Sequence, residues 1–502
     1  MVVDNSIRSR TSRRAALRRL ALAVTALTAA LAGLGLTGVM SATGSSFPAA
    51  TPEATCGPGA RPETDIQGRV PQRDYDSGRA ARGYRCNTRP VSHQGRTGGF
   101  KVLRYTDARG HTCAFYDSTL LFPKDAPFQF TSGRGLGVVV LDMDHPRRPR
   151  KTANLVTPGM DTPHESVLLN QRRGLLGAVS GNPGTAPGVL DLYDVRSSCR
   201  HPKLLSSTPT AVLGHESGWS PDGLTFYASS TGGQTLVALD LTDPTAPKPI
   251  FEQAGVNYHG MRVSADGRTL YVANIGDSST GARFSSGGLR ILDVSEIQDR
   301  KPNPQVHIIK DLSWPEHSIP QVPQPFTRNG RDYLLEVDEY ANYSLTAGAD
   351  QARAPVGAAR IIDVTDPKQP RIVSDLRLQV HQPSAREGAE KNDPGADIPV
   401  QGYAGHYCSV PYQKNPKVVA CSMILSGLRV FDISHLAEPR EVAYFNKPLT
   451  TTRADNPTAT GAFAMSQPAW DVKRHSIWYS DGNSGFYDVR LTNGTGRLLD
   501  RP

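Results

Sequence analysis

The sequence predicts an all-β fold: a seven-bladed β-propeller of four-stranded antiparallel blades, with a disulfide-stapled N-terminal extension. Three observations carry this. A β-branched, aliphatic segment ending in aspartate recurs seven times, as Gly137-Val-Val-Val-Leu-Asp142, Leu190-Asp-Leu-Tyr-Asp194, Leu236-Val-Ala-Leu-Asp240, Gly288-Leu-Arg-Ile-Leu-Asp293, Ala359-Arg-Ile-Ile-Asp363, Gly427-Leu-Arg-Val-Phe-Asp432 and Gly485-Phe-Tyr-Asp488. Successive aspartates are 52, 46, 53, 70, 69 and 56 residues apart, a period with only strand signals inside it, which suits propeller blades and not helical solenoids. Copies run into proline-rich turns, as in Asp243-Pro-Thr-Ala-Pro247 and Asp366-Pro-Lys-Gln-Pro370, where proline stops the strand and presets the turn.

Residues 1–50 carry six arginines and one aspartate, then an uncharged apolar run from Leu20 to Met40, the layout of an export signal. Within it, Ser12-Arg-Arg-Ala-Ala-Leu-Arg18 resembles the twin-arginine export motif. No clean small-x-small step marks a cleavage site, so both a removed leader and an uncleaved membrane anchor stand. The formal charge is +9; without the leader it falls to +4, and no basic stripe or aromatic-basic module argues for nucleic acid.

Residues 51–99, rich in Gly, Pro and Arg, show no periodicity and read as an irregular stapled extension; residues 100–502 are assigned to the propeller. Six cysteines without a Cys-x-x-Cys pair suggest structural disulfides in an oxidising compartment. Cys408 and Cys421 flank the turn Pro411-Tyr-Gln-Lys-Asn-Pro416 and so face each other across a hairpin. For the other four, Cys56 with Cys86 and Cys113 with Cys199 is the preferred of several pairings.

Each repeat orders its signals alike: a histidine-containing entry, a strand, a tight turn such as Ser220-Pro-Asp-Gly223 or Ser264-Ala-Asp-Gly267, a second strand, the aspartate strand, then the proline turn and an outer strand. That order places His164, His215, His259, His317 and His406 at the entries to innermost strands, around one mouth of the channel. Gln467 holds the equivalent place in the last blade, and the first blade has no clear match. Long connections, 275–287, 338–357 and 381–404, gather on the same face, where function is usually carried.

Imidazoles converging without a sulfur ligand suit copper, zinc or iron. The competing reading makes the same histidines donors to neighbouring blades' carbonyls. Strand alternation turns Glu165, Glu216 and Glu316 away from the histidines beside them, as hydrogen-bonding partners and not co-ligands. Asp338 and Glu339 read as solvated loop charge, and Trp219, Trp314 and Trp470 as packing between blades. No nucleophile elbow, His-Glu-x-x-His, calcium loop or phosphate-cradling glycine loop occurs.

The repeats resemble the LVIVD-repeat family of exported bacterial propellers, over roughly residues 90 to 490. The resemblance rests on the seven aspartate strands, Gly214-His-Glu-Ser-Gly-Trp-Ser-Pro-Asp-Gly223, and Gly405-His-Tyr-Cys-Ser-Val-Pro411 leading to Ala420-Cys-Ser-Met-Ile-Leu-Ser-Gly427. It implies the fold and no particular chemistry. A more remote similarity runs to the selenium-binding and methanethiol oxidase propellers, which hold copper among channel histidines, and in architecture to nitrous oxide reductase; fold analogy alone adds little to either.

Three functional readings follow, in this order. The first is an exported, monomeric scaffold that binds an envelope protein, peptide or glycan on its loop-rich face. The second is a metalloprotein or oxidoreductase with copper or another transition metal at the histidine-lined mouth. The third is a lactonase-like hydrolase, suggested by the Tyr271-Val-Ala-Asn274 strand and lacking an evident acid cluster. Close convergence of the imidazole nitrogens would favour the second, wide separation the first, and several carboxylates meeting in the channel the third.

Overall fold

The computed structural model describes residues 47–119, 136–181, 188–210, 214–230, 234–276, 287–314, 318–339, 356–396, 402–449 and 461–500. The export-signal motif and its apolar run lie outside these, as do His317, most of the connections 275–287 and 338–357, and residues 397–401 of the third. Among the described residues no helix is long and apolar enough to cross a membrane.

The strands form seven antiparallel sheets, the blades of a propeller. Blade 1 runs Val102–Thr106, Thr112–Asp117, Val138–Asp142, Arg150–Leu155, and blade 2 runs Leu168–Asn170, Leu175–Val179, Val189–Asp194, Lys203–Pro209. Blade 3 comprises Gly218–Trp219, Thr225–Ser230, Thr235–Asp240 and Lys248–Ala254; blade 4 comprises Tyr258–Val263, Thr269–Asn274, Gly288–Asp293 and His307–Leu312. Blade 5 splits its first strand into Ile319–Pro320 and Gln324–Arg328, both paired with Arg331–Glu339, and continues through Ala359–Asp363 and Arg371–Leu376. The repeated aspartate segment is the third strand of every blade, and its apolar side chains are buried between sheets. In all seven blades the pairing of third with fourth strand carries a register shift. Such a bulge steepens the right-handed twist, which suits blades radiating from one axis.

The aspartate itself has a local task. At Asp142, Asp194, Asp240, Asp293, Asp363 and Asp432 the Oδ1 atom accepts the backbone N–H two residues on, at 2.7 to 3.1 Å. This Asx turn ends the third strand and launches the connection to the fourth, so the repeat is a turn cap as much as a strand.

Asp488 departs from the pattern because blade 7 has no such connection. Its fourth strand is Thr88–Gln94, from the N-terminal side, laid against Gly485–Leu491. The inner strands Ala469–Asp471 and Ser476–Asp481 come from the C-terminal end, so the two ends of the chain close the ring within one sheet. A parallel bridge between Lys101 and Gln467 joins blade 7 to blade 1. Blade 6 (Tyr407–Ser409, Val418–Ser422, Leu428–Asp432, Arg440–Asn446) takes Tyr84–Cys86 as a fifth, outer strand. The segment 51–99, expected to be irregular, thus supplies two strands. Their exposed outer positions, as in Thr88-Arg-Pro-Val-Ser-His-Gln94, leave little hydrophobic period to read.

Polar contacts fasten the rest of that segment. Arg429, fully buried, pairs with Glu63 and with Glu441, the latter at 3.0 Å. Gln67 Nε2 donates to Glu441 at 3.0 Å, and Arg69 pairs with Asp393 at 2.8 Å. Disulfides join Cys408 to Cys421, directly opposite in adjacent strands, and Cys113 in blade 1 to Cys199 after the third strand of blade 2. The sulfurs of Cys56 and Cys86 lie 2.05 Å apart. These bridges fit an oxidising, exported setting.

Candidate functional site

The entries to the innermost strands bring His164, His215, His259 and His406 together at one mouth of the channel, in four different blades. The imidazoles follow one another round the mouth: His164 to His215 edge to face with centroids 4.5 Å apart, His215 to His259 tilted at 4.3 Å. Phe100 packs against His164 at 4.7 Å and His406 at 5.5 Å, closing the ring on the blade 1 side. The fifth histidine of the sequence pattern, His317, lies outside the described residues, as do 277–286, 340–355 and 397–401 of the long loops.

The centre of the cluster is a carboxylate. Glu165 Oε2 is 3.2 Å from His215 Nε2 and 3.3 Å from His259 Nε2, while Oε1 is 3.2 Å from His406 Nε2 and accepts the Gln321 amide at 2.7 Å. Glu339 lies opposite, with Oε2 2.9 Å from His406 Nε2 and Oε1 3.4 Å from His259 Nε2. His259 and His215 bring their Nε2 atoms to 2.5 Å.

Backbone carbonyls fix two of the rings. His259 Nδ1 lies 2.8 Å from Pro320 O and His406 Nδ1 2.6 Å from Met465 O. A carbonyl only accepts, so each Nδ1 carries hydrogen and each Nε2 faces the glutamates: a donor while the ring is protonated, and a free lone pair, as in metal-ligating histidines, once that proton leaves. The glycine after His259 makes the approach possible: a Cβ at Gly260 would stand 2.2 Å from the Gln321 carbonyl oxygen and 2.7 Å from Glu216 Cγ.

Burial and charge set the protonation. Burial pushes the Glu165 carboxyl up, but the imidazoles facing it outweigh that and hold it well below the usual range. Burial alone would lower His406, yet its contacts with Glu165 and Glu339 carry it up to about 9; His259 moves up against its burial because of Glu339 and Glu165. His164 goes the other way, to about 3, through burial and the neighbouring His215. His259, His406 and both glutamates are almost wholly covered, whereas the His215 side chain is 22% exposed and marks the opening to solvent.

One residue further along the same strands lies a second polar layer. Glu216 pairs with Lys101, with Arg262 at 2.6 Å, and accepts the Tyr407 hydroxyl at 2.6 Å, crossing the channel between blades 1, 3, 4 and 6. Lys101 Nζ also donates to Gln467 at 3.1 Å and stands 4.0 Å above the Tyr407 ring; burial brings its ammonium down to about 8.

Several expectations change. Glu216 is the interblade partner that strand alternation implies, but Glu165 is not: Pro163-His-Glu-Ser166 forms a turn closed by Ser166 N–H to Pro163 O, with His164 at φ 51°, so alternation does not apply and both side chains face inward. Asp338 and Glu339 are not solvated. Asp338 takes Arg360 at 2.9 Å and the Trp314 indole N–H at 2.9 Å, and Glu339 enters the cluster, because they end a strand and do not begin a loop. The first blade does have a match at its entry, Phe100-Lys101, legible only as a pair of residues immediately before the strand at Val102. Trp219 and Trp470 pack between blades as expected, Trp219 against the apolar cluster shared by blades 2 and 3 and Trp470 of blade 7 by donating to Ser409 Oγ of blade 6.

No family model and no curated protein matches the chain. Solved structures do. Hydrazine synthase of Kuenenia stuttgartiensis is similar at 11% identity and a TM-score of 0.50, over 80% of this chain and 97% of that one. The Cps50 (Swd1) β-propeller domain of Myceliophteria thermophila has 12% identity and a TM-score of 0.47, over 80% and 98%. The periplasmic gluconolactonase PpgL of Pseudomonas aeruginosa has 12% identity and a TM-score of 0.47, over 72% and 89%. Likeness at these identities carries no function: the propeller is read from the seven sheets, and the reading of function comes from the residues at the mouth.

Proposed function

We propose that this protein is an exported metalloprotein whose channel mouth binds a divalent transition metal through His215, His259 and His406 with Glu165. The observation that supports it is the convergence of three Nε2 atoms, two of them aimed by carbonyls, on a buried glutamate. Either protons or a metal cation must occupy the space between them, since like dipoles and lone pairs at these separations repel. The donors are nitrogen and oxygen, and the cysteines are spent in structural pairs, which suits zinc, iron(II) or copper(II) more than cuprous copper. Such an ion, reachable past the part-exposed His215, would act as a Lewis acid or redox centre on a small oxygen-bearing ligand. In that role Glu165 and Glu339 offset the ion's charge, Phe100 and the Lys101–Glu216 layer shut out water from below, and the two carbonyl-tied rings hold the ligand geometry.

A hydrolytic reading gains from Glu165 and Glu339 meeting in the channel, which supplies two carboxylates beside the ion. The scaffold reading, with an envelope partner on the long loops, draws on loops of which 277–286, 340–355 and 397–401 lie outside the described residues, and has no comparable support.

The test is metal content by mass spectrometry on chain purified without chelator, beside a His215→Ala, His259→Ala double variant. Metal near or above one equivalent, lost in the folded variant, is the expected result. Metal-free protein that also fails to take up added zinc, copper or iron would make the cluster a proton-held ring of ion pairs.

A further inference from the structure

Resting on the reading of this cluster as a metal site, we infer that it is built for two ions, bridged by the Glu165 carboxylate. Two groups of donors share that residue. His164, Glu165 and His215 offer ligand atoms all within 4.8 Å of one another, and so do Glu165, Glu339 and His406. The two Glu165 oxygens face different partners: Oε2 toward His215 and His259, Oε1 toward His406. A carboxylate with each oxygen committed to its own set of donors is the geometry of a bridge, and two-metal centres hold their ions roughly 3.5–4 Å apart.

The number of donors points the same way. Four imidazoles and two carboxylates crowd the mouth, and one four-coordinate ion would use about four of the six. A single ion among His215, His259, His406 and Glu165 leaves His164 without a task and uses Glu339 only as a counter-charge. His164 in particular is held at φ 51°, a left-handed conformation unfavourable for a non-glycine residue, and its buried Nδ1 has no hydrogen-bond partner among the described residues. Gly181 makes room for it: a Cβ there would lie 2.5 Å from His164 Cβ. A second ion on His164, His215 and Glu165 Oε2 gives that strained residue its purpose. Two divalent ions against two carboxylates and neutral imidazoles leave excess positive charge, so the ligand class that fits between them is an oxygen anion, such as hydroxide or a carboxylate or phosphate oxygen.

The experiment uses the full-length, disulfide-intact chain, stripped with chelator and titrated with zinc chloride, stoichiometry being read by calorimetry and by mass spectrometry after dialysis. Copper(II) loading followed by electron paramagnetic resonance reports whether two ions are magnetically coupled. Two equivalents in the wild type, one in His164→Ala, and an exchange-coupled copper spectrum that becomes a single-ion spectrum in the variant are expected. Saturation at one equivalent with an isolated copper signal overturns the bridge and leaves the single-metal reading standing. No uptake overturns both. Should His164→Ala fail to fold, the wild-type stoichiometry and coupling decide alone.

Discussion

His215 and His259, from adjacent blades, bring their Nε2 atoms to 2.5 Å, with the His259 Nδ1 hydrogen already committed to the Pro320 carbonyl. A shared proton can hold two imidazoles in this way. So can a cation, but at a different distance: two zinc–nitrogen bonds of about 2.0–2.1 Å at a tetrahedral angle separate the nitrogens by roughly 3.3 Å. Metal loading should therefore push the two rings apart by several tenths of an ångström, which a crystal structure of zinc-loaded protein would show. Rings that stay in contact with zinc bound elsewhere would count against the assignment.

Loading should also stabilise the fold. A ligand at about 1,000 times its Kd contributes about 4 kcal/mol to the bound state. Differential scanning calorimetry is expected to show a higher Tm with zinc, reversed by chelator and absent in the His215→Ala, His259→Ala variant.

The second layer predicts an asymmetry. Glu216→Ala strands Lys101 and Arg262 as buried cations and should cost about 3–5 kcal/mol in urea unfolding. The Lys101→Met, Glu216→Leu pair of changes, which removes the charged couple together, should cost less than the single change. Equal costs would mean the channel lets water reach these groups.

Ring closure depends on Thr88–Gln94. A chain beginning at residue 97 leaves blade 7 with three strands and an open edge, and should be aggregated or lack near-ultraviolet circular dichroism. A chain beginning at Gly83 with Cys86→Ser keeps both added strands and should fold, though less stably because Arg429 loses Glu63. Size-exclusion chromatography separates the two outcomes.

Asp488 makes stability pH-dependent. Burial raises its carboxyl to about 7, so between the ordinary value of 3.8 and 7 the native state keeps a proton that the unfolded chain releases. Stability is thus lost as pH rises through that window, and the loss is complete above it. Asp488→Asn should match the wild type near pH 4 and exceed it at pH 8 by about 2–4 kcal/mol. Asp293→Ala, which removes a turn cap, should instead cost about 1 kcal/mol at both pH values, an amount typical of a lost local hydrogen bond.

Much of this was legible in the chain. Six of the seven aspartates marked their blades because an Asx turn needs a short acceptor at a fixed place, and a turn cap leaves its mark one residue at a time. The pair Cys408 and Cys421 was legible because a hairpin puts flanking residues opposite each other. The histidines at blade entries stood out for the same reason: a fixed register in a repeat maps onto a fixed place around the ring. Glu339 was not legible, since its distance from His406 in sequence says nothing about a strand end arriving beside it. Glu165 was misread because period-two alternation holds in strands and fails in a turn with a left-handed residue.

The sequence by itself determined the architecture, the number of blades and the place of four histidines, His164, His215, His259 and His406, at one mouth. These follow from periodic hydrophobicity and local turn chemistry, which act over a few residues. Tertiary structure alone decided that strands from 84–94 complete blades 6 and 7, that Glu165 and Glu339 stand between the imidazoles, and that Lys101 faces Glu216 across the channel. Those are meetings between residues up to several hundred positions apart. Closure of the ring brings them together, and no local propensity encodes the distance between two blades.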